Sequence, residues 1–113
     1  MSIPREEAIR AIQTYFDALV AHDVSGVPLA EDVVFKQPNG NIHTGREAVS
    51  SFLNNLTWTS VRIEDYVVDG DSAGCLFDYD RAGGSIKGFD YFLFENGSIK
   101  EVRPFLNPMR TSS

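Results

Sequence analysis

Asp90 is a lone carboxylate set among Phe89, Tyr91, Phe92 and Phe94. If it faces an apolar interior, loss of water disfavours the charged form and raises its pKa. A carboxyl kept neutral in this way can donate a hydrogen bond to a ligand oxygen. It can equally bond a backbone group or a tyrosine and serve structure alone, because perturbed carboxylates gather at sites but not only there. Tyr15 is the natural companion. It lies on a stripe made of Ala8, Ile9, Ile12, Tyr15, Phe16, Leu19 and Val20, spaced at three and four residues. Its hydroxyl either enters a pocket or stays at the rim of an aromatic core. His22 and His43 stand in turn-like contexts and read as surface or capping histidines, not as bases. Cys75 reads as a small apolar strand residue. No HExxH pair, phosphate loop, nucleophile elbow or acidic calcium loop occurs, so no metal or other cofactor is expected.

The elements that must position these groups follow from pattern. Proline at the opening and Glu6 and Glu7 after it predict a helix over about Pro4 to Ala21, ended by His22-Asp23 and Gly26. Pro28 limits any helix after it to about a turn. Val33-Val34-Phe35 reads as a short strand closed by the turn Pro38-Asn39-Gly40. Thr44 and Glu47 have capping-box spacing before a helix whose buried side is Val49, Phe52, Leu53 and Leu56. Asp69-Gly70, Gly83-Gly84 and Asn96-Gly97 then separate four β-rich runs over about 58–68, 72–82, 85–95 and 98–106. Helices followed by a meander indicate one α+β domain over residues 1–113. Only Met109 to Ser113 reads as loose.

Pairing arithmetic decides which side chains share the face of Asp90. A two-residue turn at Gly83-Gly84 pairs Ala82 with Ser85, hence Phe77 with Asp90 and Tyr79 with Gly88. Phe77 and Tyr79 then face inward, and Asp78 and Asp80 outward, with Asp80 opposite Lys87. At the next hairpin a two-residue turn brings Glu101 and Arg103 to that face. A three-residue turn, Asn96-Gly97-Ser98, brings Val102, Pro104 and Leu106 there instead. The second is preferred because it keeps apolar groups inside. Both faces of the 85–95 run are apolar, with Ile86, Phe92 and Phe94 on one and Phe89, Tyr91 and Leu93 on the other. One face is therefore expected against the helices and the other against a second subunit, which predicts a homodimer.

The chain of 113 residues has a net charge of −6, which offers no basic surplus for nucleic acid or an anionic membrane. One cysteine permits no intrachain disulfide, and no apolar run reaches membrane-span length. With Pro4, Arg5, Glu6 and Glu7 where a signal peptide would need apolar residues, a cytoplasmic location is expected. Asn55-Leu56-Thr57 and Asn96-Gly97-Ser98 are then chance glycosylation sequons.

Four segments belong together: Tyr15-Phe16-Asp17-Ala18-Leu19 with Asp23, then Gly45-Arg46-Glu47-Ala48-Val49, then Phe89 to Phe94, and Gly97 to Arg103. In their order and spacing they resemble the nuclear transport factor 2 (NTF2)-like superfamily, particularly its SnoaL-like and ketosteroid-isomerase-like branches. The resemblance implies a cone-shaped α+β fold, usually dimeric, with helices packed on a curved, mainly antiparallel sheet that encloses a pocket. In ketosteroid isomerase a tyrosine and a neutral aspartate form the oxyanion hole and another aspartate shuttles the proton. By resemblance the first two fall on Tyr15 and Asp90. The shuttle falls on Gln37, whose amide cannot accept and return a proton, which argues against steroid isomerisation. Epoxide-hydrolase-like members need an aspartate where Pro104 stands, and an Arg-x-Asp pair that is missing here. For the acid/base aspartate of SnoaL-type cyclases, Asp90 is the one candidate.

The leading expectation is a binder of a hydrophobic small molecule, a carbonyl or phenolic compound. Tyr15 and Asp90 are its polar pair, and Gln37, Phe35, Phe77, Tyr79, Phe92, Val102 and Leu106 its lining. Cofactor-independent acid/base catalysis of isomerase, cyclase or hydrolase type is left open beside it. The alternative is a non-catalytic dimeric module with a vestigial pocket that recruits a partner through Phe89, Tyr91 and Leu93.

Overall fold

The structure is a computed structural model that describes residues 3–81 and 83–106. The proposed loose tail and Ala82 lie outside the described residues. Helix α1 spans Arg5–Ala21, opens on extended Pro4 and ends at His22 in the left-handed region (φ 59°). Its apolar stripe buries Ala8, Ile12, Tyr15, Phe16 and Leu19. Strand β1 (Leu29–Lys36) and a three-residue strand β2 (Ile42–Thr44) form a hairpin before helix α2 (Arg46–Asn54). Then come β3 (Ser60–Asp69), β4 (Ser72–Arg81), β5 (Gly84–Glu95) and β6 (Ser98–Leu106).

All six strands join one sheet in the order β2-β1-β6-β5-β4-β3. The pairing is antiparallel except for β1 beside β6, which is parallel. This is the expected curved, mainly antiparallel α+β architecture. The sequence pattern missed β2, since a strand of three residues leaves too little alternation to read. The short strand expected at Val33-Val34-Phe35 is present between the helices as part of the longer β1.

Two registers differ from the arithmetic. At Gly83-Gly84 the innermost pair is Arg81 with Gly84, so Asp90 lies opposite Cys75, Phe77 opposite Gly88 and Asp78 opposite Lys87. The shift is an even number of residues, so every face assignment survives. Lys87 pairs with Asp78 at 2.9 Å. Asp80 accepts bonds from Ser60, Ser85 and Arg62, which hold its carboxyl well below the usual range. At Asn96-Gly97 the turn has two residues, because Glu95 pairs with Ser98. The pairing then slips at Leu93/Phe94, where Glu101 and Ile99 face successive residues of β5 and Lys100 is the extra residue. This bulge does what a three-residue turn would have done, and Asp90 faces Pro104 instead of Arg103.

The capping box is also corrected. Gly45, at φ 96°, is the N-cap of α2, and no side chain caps it. A positive φ there suits glycine and not threonine. The start of helix α2 is held instead on β1: Gly45 N–H donates to Val33 O at 2.7 Å, and the side-chain Arg46 Nε–H donates to Leu29 O at 3.1 Å.

Candidate functional site

The inner sheet face and the two helices leave a cavity of about 230 Å³. Tyr15 of α1, Phe35 of β1, Gln37 and Pro38 after it, and Phe52 of α2 line one part. Leu56, Thr57 and Trp58, then Tyr79, Asp90, Pro104 and Leu106, line the rest. Trp58 lies flat on Tyr79, with centroids 3.8 Å apart and planes at 11°. Phe35 and Phe52 make a second aromatic wall at 5.1 Å. The walls are therefore apolar and flat, and the polar groups few.

Asp90 is 2% exposed, the one buried carboxylate among the described residues. Its Oδ1 is buried with no hydrogen-bond partner. Burial alone pushes its pKa up to about 8. Tyr15 is 1% exposed, and its ring meets Phe92 edge-on at 5.2 Å. Burial, and then the nearby charge of Asp90, raise the Tyr15 phenol well above its ordinary value. Cys75, paired with Asp90 across the sheet, is pushed up to about 12 by burial and then by Asp90 and Asp65. At neutral pH the site thus holds a neutral carboxyl and a neutral phenol, and the thiol of Cys75, which does not line the cavity, is unreactive.

Gln37 is fixed from two sides. Its backbone N–H donates to Asn41 O at 2.8 Å and its carbonyl accepts from Gly40 N–H at 3.0 Å. Its side-chain Oε1 meets His43 Nε2 at 3.0 Å. His43 in turn stacks on Phe52 at 4.2 Å and 25°. No group of His, Cys, Asp and Glu among the described residues could hold a metal ion.

A SnoaL-like domain model matches residues 12–102. The chain belongs to the SnoaL-like family. Its fold is shared with a de novo designed protein with a curved β-sheet, at TM-score 0.84 and 23% identity, covering 94% of this chain and 89% of that one. An NTF2-like protein of unknown function from Mesorhizobium loti is similar at TM-score 0.77 and 23% identity, covering 96% and 98%. A steroid delta-isomerase from Pseudomonas aeruginosa is similar at TM-score 0.76 and 23% identity, covering 96% and 85%. Likeness at these identities establishes the fold and no activity. No curated protein matches the chain.

Within this SnoaL-like fold the cavity brings together Tyr15, Asp90, Gln37, Phe35, Tyr79 and Leu106 of the residues expected at a site. Phe77, Phe92 and Val102 do not line it. They point inward but are fully buried behind the lining, Phe77 for instance against Phe16 at 4.7 Å. Facing the interior and reaching a cavity are different conditions, and alternation reports only the first. Pro104, expected on the face of Asp90, is in the wall, and Pro38, Phe52, Leu56, Thr57 and Trp58 complete it and were not expected there. Trp58 carried a signal, as a large aromatic at a segment boundary. His43 is not merely a surface or capping residue, because it is half-buried and bonded to Gln37.

Proposed function

We propose that this SnoaL-like protein binds a compact hydrophobic carbonyl or phenolic compound, with the ligand oxygen taken by Tyr15 and Asp90. The observation that carries this reading is the buried, unpartnered Oδ1 of Asp90 beside an aromatic-walled cavity. A polar atom left unpaired in such a place opposes folding by roughly 1–3 kcal/mol. A ligand oxygen that accepts the neutral carboxyl's proton relieves that cost. Negative charge that builds on the ligand oxygen, as in an enolate, is stabilised by the same two donors. Gln37 supplies no base, so the residues offer the polarising half of acid/base chemistry without the proton shuttle. The site therefore suits binding and oxyanion stabilisation and does not suit steroid isomerisation. The polar pair needs no metal or cofactor for this.

Residues 1–113 act in this reading as one domain, in the cytoplasm, as a homodimer joined through the outer sheet face. The acidic balance favours neither nucleic acid nor membrane as partner. No helix among the described residues is long and apolar enough to cross a membrane.

Calorimetric titration with acetophenone and with phenol tests the pair. Tyr15→Phe and Asp90→Leu are each expected to weaken binding by about fivefold or more, the worth of one buried hydrogen bond. Binding to the wild-type protein should also fall above pH 8, where Asp90 loses the proton it donates. Affinities untouched by both substitutions would show that the pair does not meet the ligand.

A further inference from the structure

His43 stands on β2 directly opposite Phe35 of β1, and opposed residues point to the same face. Its ring stacks on Phe52, and both Phe35 and Phe52 line the cavity. The edge of the ring that carries Nε2 is turned to Gln37 Oε1 at 3.0 Å. A carbonyl oxygen can only accept, so Nε2 must carry the proton in this arrangement. With its oxygen engaged, the Gln37 amide has its N–H2 group left, and none of the described residues takes it. Gln37 belongs to the cavity wall.

The sheet register fixes where that donor lies relative to Asp90. Phe35 is level with Val102 in the parallel β1/β6 pair. Gln37 follows the end of β1 at Lys36, and Pro104, two residues beyond Val102 on β6, faces Asp90 across the β6/β5 pair. β1, which leads into Gln37, and β5, which carries Asp90, flank β6 on either side, two strand spacings or roughly 10 Å apart. Both residues line the same cavity. That gap is the length of one substituted ring, and the cavity volume is below the roughly 300–1,000 Å³ usual for drug-sized ligands.

We propose that His43 is a positioning residue that turns the Gln37 amide N–H2 toward the cavity, so that the site takes a one-ring ligand with acceptor oxygens at both ends. One oxygen meets Tyr15 and Asp90 and the other meets Gln37. The ligand half of this proposal rests on the binding function proposed above, whereas the positioning half does not. Were the His43 proton on Nδ1 instead, Nε2 would accept from the amide and Gln37 would turn its carbonyl inward. The far end of the ligand would then have to be a donor.

Two near-equal compounds separate these cases: 1,4-diacetylbenzene, with acceptors at both ends, and 4-ethylacetophenone, with one. The wild-type protein is expected to prefer the first by about fivefold, the worth of one neutral hydrogen bond. In His43→Phe, which keeps the stack on Phe52, and in Gln37→Met, the ratio of the two affinities should fall to near one. An equal affinity in the wild type, or a preference that survives both substitutions, overturns the proposal. If neither compound binds the wild type, the proposed binding function fails instead. The positioning is then decided by ¹⁵N NMR of the unmodified chain near neutral pH. A proton on His43 Nε2 upholds it, and a bare Nε2 overturns it even should both variants fail to fold.

Discussion

A carboxyl buried without a partner opposes folding whenever it is ionised. Asp90 in the unfolded chain loses its proton near pH 4 and in the folded chain near pH 8. Between those values the folded state binds the extra proton, so stability falls as pH rises through that window and levels off above it. The slope is at most about 1.4 kcal/mol per pH unit for one group. Asp90→Asn cannot ionise, so urea unfolding from pH 4 to 9 should show a flatter profile. At pH 7 the variant is expected to be more stable than the wild type by an amount on the order of 4 kcal/mol. Equal slopes for the two proteins would mean that Asp90 is solvated. Asp90 and Tyr15 were legible in the sequence because a carboxylate inside an aromatic run and a tyrosine on a helix stripe each break a local pattern. His43 was not, because its role depends on a hairpin partner and on Phe52, nine residues further on.

At the scale of elements, faces were legible and registers were not. Alternation fixes the side to which a residue points, while a hairpin's exact pairing depends on turn geometry and bulges. The Arg81–Gly84 pair changed the β4 partner of Asp90 without changing its face, and the extra residue Lys100 kept Pro104 opposite Asp90 although the turn itself has two residues. Gly88 is a sharper case. A Cβ there would lie 2.7 Å from Phe77 Cζ and 2.9 Å from Leu106 Cδ2. Phe77 is fully buried and cannot yield easily, so Gly88→Ala should cost about 1–3 kcal/mol, as overpacking of a tight core does. Leu106 would be driven into the cavity it lines. Thermal unfolding of Gly88→Ala checks the first effect, and a midpoint equal to wild type would contradict it.

Over the whole molecule, the surface opposite the cavity is also apolar. Leu76, Phe89 and Phe105 stand side by side across β4, β5 and β6, and the next row carries Val67, Gly74, Tyr91 and Arg103. Val67 is 55% and Phe105 56% exposed. Tyr91 hydroxyl meets Ser72 Oγ at 3.0 Å, which anchors it at the edge of this patch. The two apolar faces of β5 were readable because a one-sided sheet would have alternated. For a homodimer joined here, Tyr91→Glu should halve the mass seen by light scattering. A wild-type monomer, or an unchanged mass in the variant, would remove this interface. The cavity's size was beyond the sequence, because it arises where α1, α2 and the Leu56–Trp58 segment fail to fill the sheet's curve, a matter of three-dimensional packing.

The central claim is that residue 90 holds its proton in a dry site at neutral pH. Its side-chain carboxyl can be followed directly by ¹³C NMR in the ligand-free protein from pH 3 to 10. The expected titration midpoint is close to 8. A midpoint near 4, the ordinary aspartate value, would contradict it.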